Sequence, residues 1–123
     1  MFEGDKNFYF THELFHENGT KSKFFNLIIP LLNQLNISTL LRVKINCFPS
    51  TEKIIKYKEH TDFPFKHNGA IFYINSCDGG TIIKDKFIKS IENRLLLFNS
   101  NKLHRSTNCT DENCRFNINI NYF

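Results

Sequence analysis

The sequence predicts a mainly β fold, an antiparallel barrel or two-sheet jelly roll with a short N-terminal helical segment. Three observations predict it. Eight apolar runs of strand length follow one another from residue 39 onward. The separators between them, among them PST, HNG and CDGG, carry the Gly and Pro residues that turns use and strand interiors avoid. Only one stretch shows good helical spacing, and short strands after one helix fit a closed or two-layered antiparallel architecture.

Taken in order, the helical stretch is SKFFNLIIPLLNQL, residues 22–35, with Ser22 as N-cap and Pro30 as a kink or interruption. The strand-like runs are 39–48, 53–60, 69–76, 80–84, 86–91, 94–98, 103–107 and 114–121. The last run, CRFNININ, says most about sidedness. Strand side chains alternate faces, so Arg115, Asn117 and Asn119 share one side and Phe116, Ile118 and Ile120 the other. The apolar side has a packing role; the Arg/Asn side must meet solvent or a polar cavity, and a buried Arg115 would need a carboxylate partner.

The 123 residues read as one domain, 1–123, in which 1–38 supply helical support and 39–123 the β core. No apolar run approaches the ~20 residues that cross a bilayer, so no membrane role is expected. MFEGDKNFYF does not resemble a secretory signal, which points to a cytoplasmic location. In a reducing compartment Cys47, Cys77, Cys109 and Cys114 are expected as free thiols. The net charge of +4 comes from scattered lysines with only four arginines, a composition of AT-rich codons that does not point to nucleic acid.

Two stretches carry metal-ligand patterns. HELFH, residues 12–16, fits H-E-x-x-H, the zinc-peptidase string. That chemistry needs a stable helix, and the Asn-Gly turn cuts this one off just after His16. The other stretch, YKEHTD, places His60 and Asp62 two apart at a strand end, so both side chains point to one side. His104 follows in LHRST and Arg115 later still. Two imidazoles and a carboxylate on one face of an octahedral ion leave the positions that non-haem Fe(II) oxygenases use. Singly, each residue has an ordinary reading: a surface His-Asp pair, a satisfied histidine, a salt-bridged arginine.

The order YKEHTD, FYIN, DGGT, NRLLLFNS, LHRST, CRFNI, over roughly residues 40–121, resembles the 2-oxoglutarate and Fe(II)-dependent dioxygenases, in particular small phage-type members of the prolyl-4-hydroxylase-like branch. The resemblance implies a double-stranded β-helix of cupin-like jelly-roll type. It implies that His60, Asp62 and His104 are the iron ligands and catalytic centre, and that Arg115 anchors the distal carboxylate of 2-oxoglutarate with Tyr73 and Asn117 beside it. It implies hydroxylation of a substrate, first a prolyl residue in a peptide or protein and then a free amino acid, another small molecule or a nucleobase. Succinate and CO2 are released, and ascorbate can serve as reductant. Phe48 departs from the family, standing where prolyl hydroxylases carry a tyrosine. So does the shortness of residues 1–38, which leaves a pared-down member, a fragment, or a homo-oligomer that covers the sheet with a neighbour. The loop FPFKHNG, residues 63–69, is expected to border the substrate entrance, with His67 on the surface. The rival readings are a non-catalytic metal-binding β-helix and the HExxH zinc peptidase.

Overall fold

The computed structural model describes residues 7–123; residues 1–6, which open the segment read above for a secretory signal, lie outside the described residues. The strands are β1 (Phe10–His16), β2 (Gly19–Thr20), β3 (Leu40–Pro49), β4 (Asn68–Tyr73), β5 (Gly80–Ile83), β6 (Lys86–Lys89), β7 (Leu95–Asn99), β8 (His104–Ser106) and β9 (Cys114–Tyr122). They form a six-stranded sheet in the order β2-β1-β3-β9-β4-β7 and a three-stranded sheet in the order β6-β5-β8, with antiparallel pairing throughout. The architecture is the mainly β, cupin-like double-stranded β-helix expected from the sequence.

Residues 1–38 supply more than helix. The helical part is one 3-10 turn, Phe25–Ile28, running into α1 (Ile29–Leu32), and Ser22 begins it by accepting the Phe24 amide on its hydroxyl at 3.1 Å. Pro30 sits in the first turn of α1, where its missing N–H costs nothing. Ahead of it, the HELFH stretch is strand and not helix. It pairs with β3 from Phe10↔Cys47 to His16↔Arg42, and a two-residue turn at Glu17 and Asn18, with Glu17 at φ 51°, returns the chain into β2. Edge pairing against a long strand outweighs the weak helical propensity of a segment rich in Phe, Thr and His.

The run at 53–60 also differs from expectation. It forms isolated bridges at Lys56↔Thr107 and His60↔His104 and no continuous strand. It therefore runs beside β8 as a loosely tied edge, which still places His60 next to His104.

The alternation read from β9 holds through the large sheet. Ile118, Ile120 and Tyr122 join Leu14, Val43, Ala70 and Ile28 in the apolar core, with Phe25, Leu31 and Leu32 of the helical segment packed against it. The main core thus lies outside the β-helix, between the large sheet and the helical cover. The opposite face, carrying Arg115, Asn117, Asn119 and Asn121, is also buried and looks toward the small sheet. Burying four such side chains is tolerable only where they hydrogen-bond or line a polar cavity; all four hydrogen-bond, and Asn117 and Asn119 also line a cavity.

Candidate metal centre

His60, at the bridge to β8, and His104, the first residue of β8, come together with Asp62, and one ligand atom from each lies within 4.8 Å of the others. Oδ1 of Asp62 stands 3.3 Å from His60 Nε2 and 3.2 Å from His104 Nε2. The backbone sets this geometry, since His60 and His104 exchange both main-chain hydrogen bonds at 3.0 Å and the Asp62 amide donates to the Ser100 carbonyl at 3.2 Å.

Each imidazole is oriented from behind. His60 Nδ1 lies 3.0 Å from the Lys58 carbonyl oxygen and His104 Nδ1 lies 2.7 Å from that of Lys102. A carbonyl accepts only from an N–H, so both rings carry a proton on Nδ1 and turn Nε2 toward Asp62 Oδ1, where it donates to the carboxylate when protonated and offers its lone pair for ligation when it is not. Asp62 is equally constrained: its Oδ2 accepts from Asn121 Nδ2 at 2.8 Å and more distantly from Asn119 Nδ2 at 3.5 Å, which leaves Oδ1 for an ion. Burial would raise the Asp62 carboxyl, but hydrogen bonds with His104 and His60, the charge of His104 and the Asn121 amide outweigh it and hold the group far below the usual carboxylate range. His60 is pushed up, chiefly by its hydrogen bond with Asp62, against the opposing effect of burial. Two inward imidazole nitrogens and one free carboxylate oxygen form a donor set that suits a divalent transition metal with open positions.

The cluster opens on a cavity of about 300 Å³ bordered by Arg42, Lys44 and Asn46 of β3 and by Asn117 and Asn119 of β9. Asn46 Nδ2 donates to Asn117 Oδ1 at 2.9 Å. The Asn46 and Asn119 side-chain oxygens are buried without a partner among the described residues.

Of the other residues expected at the site, Asn117 lines this cavity, whereas Arg115 and Tyr73 are not among its lining residues. Arg115 is fully buried, with its guanidinium 5.0 Å from the Phe48 ring centre and 5.4 Å from that of Tyr73. It donates to the Thr107 carbonyl at 3.0 Å and to Thr81 Oγ1 at 3.3 Å, while Nε has no partner. Tyr73 also donates to Thr81 Oγ1, at 2.8 Å. Among the described residues no carboxylate pairs with Arg115, and burial pulls it below the usual arginine range. The glycines of DGGT explain themselves here: a Cβ on Gly79 would lie 1.9 Å from the Asn108 carbonyl oxygen and 3.1 Å from Arg115 Cδ.

His12 and His16 stand four residues apart on β1, roughly 13 Å along a strand, and neither belongs to this cluster. His12 bonds to Ser22 Oγ at 2.9 Å and His16 lies 3.3 Å from Glu13, so HELFH does not form the helical peptidase arrangement. His67, expected on the surface, is instead 3% exposed, with Nε2 3.3 Å from Asn121 Nδ2, the amide that also donates to Asp62. The loop around it does not line the cavity; its Phe63 ring packs 4.9 Å from the Arg42 guanidinium. Sequence reasoning missed Arg42, Lys44 and Asn121. Asn121 continues the Arg115-Asn117-Asn119 alternation by one step, and Arg42 and Lys44 alternate likewise on β3.

All four cysteines are free thiols. Burial pushes the Cys109 thiol up to about 12 and the Cys47 thiol up to about 11, which keeps both protonated at neutral pH. No described helix is long and apolar enough to cross a membrane.

No model of a known protein family matches the chain, and no curated protein sequence is similar to it. Solved structures share its shape. A prolyl-4-hydroxylase from Pseudomonas putida superposes with a TM-score of 0.62 at 13% identity, covering 94% of this chain and 69% of that one. An RmlC-like cupin protein from Desulfovibrio desulfuricans gives 0.60 at 11%, covering 97% and 85%. A prolyl hydroxylase from Trichoplax adhaerens, solved with a hypoxia-inducible factor peptide fragment, gives 0.55 at 21%, covering 82% of this chain but 55% of its own. At these identities the likeness is one of fold: the chain has a double-stranded β-helix similar to those of the cupin protein and the prolyl hydroxylases, and within it two histidines and an aspartate meet as a candidate metal centre.

Proposed function

We propose that the protein is an Fe(II)- and 2-oxoglutarate-dependent dioxygenase that hydroxylates a substrate, with a prolyl residue in a peptide or protein as the first choice. The observation that carries this reading is the inward set of His60 Nε2, His104 Nε2 and Asp62 Oδ1 at the wall of a polar cavity. The prolyl hydroxylases among its structural neighbours support it. Dioxygen would be the oxidant, used at ferrous iron together with 2-oxoglutarate, so that one oxygen atom ends in succinate and the other in the hydroxylated substrate while CO2 is released, with ascorbate keeping the iron reduced.

The chain's own residues have defined tasks in this reaction. His60, Asp62 and His104 hold the metal, and the Lys58 and Lys102 carbonyls with Asn121 fix their orientation. Arg115, buried without an acid, is suited to take the distal carboxylate of 2-oxoglutarate by charge-assisted hydrogen bonds, with Tyr73 and Thr81 completing that end. Asn117 stands between that end and the metal, on the cavity wall.

One observation favours a second reading, a metal-binding cupin-type domain without turnover: Phe48 covers the Arg115 guanidinium, so a cosubstrate reaches it only if that ring turns aside. The deciding experiment measures succinate formation with Fe(II), 2-oxoglutarate and ascorbate over a panel of proline-containing peptides. Turnover that disappears in His60→Ala supports the dioxygenase. Metal binding by the wild type with no succinate above the His60→Ala background selects the non-catalytic reading.

A further inference from the structure

The cavity beside the metal ligands is cationic. Arg42, Lys44 and Lys58 border it, and Asp62 is its one acidic wall residue among those described. Asp62 already faces two imidazoles and the asparagine amides, so a bound cation would consume its charge and leave the lysines and Arg42 unbalanced. The two β3 cations are not equivalent. Arg42 is committed: Nε donates to Asn121 Oδ1 at 3.2 Å, one terminal nitrogen lies 3.9 Å from Asp62 Oδ1, and the plane rests on Phe63. Lys44 is half-buried, and its ammonium makes no hydrogen bond or ion pair among the described residues. Glu13, its register partner on β1, is exposed and turned to His16. Burial and the neighbouring Arg42 hold the Lys44 ammonium below the usual lysine range, a cost that an incoming anion would reverse.

A half-buried cation whose donors are not taken by a hydrogen bond among the described residues, one step along the strand from Arg42 and facing the same cavity, is a place for a ligand's negative charge. We propose that Lys44, backed by Arg42, binds a carboxylate of the substrate, so that this site selects an acidic peptide over a neutral one. The inference rests on the reading of His60, Asp62 and His104 as metal ligands. In that reading Arg115, on β9 opposite Phe48 and four residues from Asn119, the register partner of Lys44, serves a different carboxylate.

The test uses Co(II)-loaded protein and two capped peptides, acetyl-Glu-Pro-amide and acetyl-Gln-Pro-amide, which differ only in charge. Wild type is expected to bind the Glu peptide about tenfold more tightly than the Gln peptide. Lys44→Met should erase that preference while Co(II) affinity is unchanged or tightened, and Lys44→Glu should reverse it in favour of a Lys-Pro peptide. Equal binding of the Glu and Gln peptides, undetectable binding of both at millimolar concentration, or a preference that survives Lys44→Met overturns the inference. Weakened 2-oxoglutarate binding in Lys44→Met with peptide binding unchanged also overturns it, by making Lys44 a cosubstrate anchor. Failure of the wild type to take up Co(II) overturns the metal reading and the inference together, whereas Co(II) uptake without charge preference overturns the inference alone.

Discussion

Removing the Asn121 side-chain amide tests how the metal centre is oriented. Asn121 is fully buried, and its Nδ2 is the short donor to Asp62 Oδ2, 2.8 Å against 3.5 Å from Asn119. Asn121→Ala leaves one oxygen of a buried carboxylate short of its main partner and frees Asp62 to rotate. A hydrogen bond to a charged group contributes about 1.5–3 kcal/mol, which at about 1.4 kcal/mol per factor of ten corresponds to roughly ten- to a hundredfold in affinity. Outer partners of metal ligands typically alter affinity by about the same 10–100-fold. Asn119→Ala, which removes only the long contact, should cost less than half as much free energy. The assay is Co(II) competition against a chromophoric chelator at fixed pH, with a thermal melt of each metal-free variant as the folding control. A folded Asn121→Ala protein that binds Co(II) as tightly as wild type, or no more weakly than Asn119→Ala, would refute the assignment of Asn121 as the residue that orients Asp62.

Four further predictions address the ligands and the packing around them. Because its bond with Asp62 raises the His60 pKa, protons compete with metal at a higher pH than for a free imidazole of about 6.5; Co(II) affinity should be full well above that value and fall as pH drops through the His60 pKa, and a flat profile between about pH 5 and 8 counts against His60 as a ligand. For the metal-free fold the depressed Asp62 pKa works in the other window: its stabilisation is present above the unfolded value of about 3.9 and lost progressively as pH falls below it, and thermal melts in which Asp62→Asn already matches wild type at pH 7 would contradict this. Gly79→Ala should destabilise by about 1–3 kcal/mol, because the added methyl meets the Asn108 main chain; an unchanged melting temperature would show that the two segments part without cost. Phe48→Leu should cost under about 1.5 kcal/mol and tighten 2-oxoglutarate binding by uncovering Arg115, whereas unchanged cosubstrate affinity would mean the ring is no barrier.

The β class, seven of the nine strands and the meeting of His60, Asp62 and His104 were legible along the chain, because strand alternation is local and the motif order is linear. The same alternation made the Arg/Asn face of β9 readable before its surroundings were known. What lay beyond the sequence depended on pairing between distant segments. HELFH is a strand because β3 offers it an edge, not because of its own propensities, and residues 53–60 lie beside β8 through isolated bridges and hydrogen bonds with the Arg105 and Asn108 side chains rather than through a continuous ladder. Arg42 and Lys44 look like ordinary surface cations until β3 is seen to turn them into a cavity, and Asn121 looks like one asparagine among many until Asp62, 59 residues earlier, arrives beside it. Local periodicity decides which side of a strand a residue occupies, but only the assembled sheets decide what that side faces.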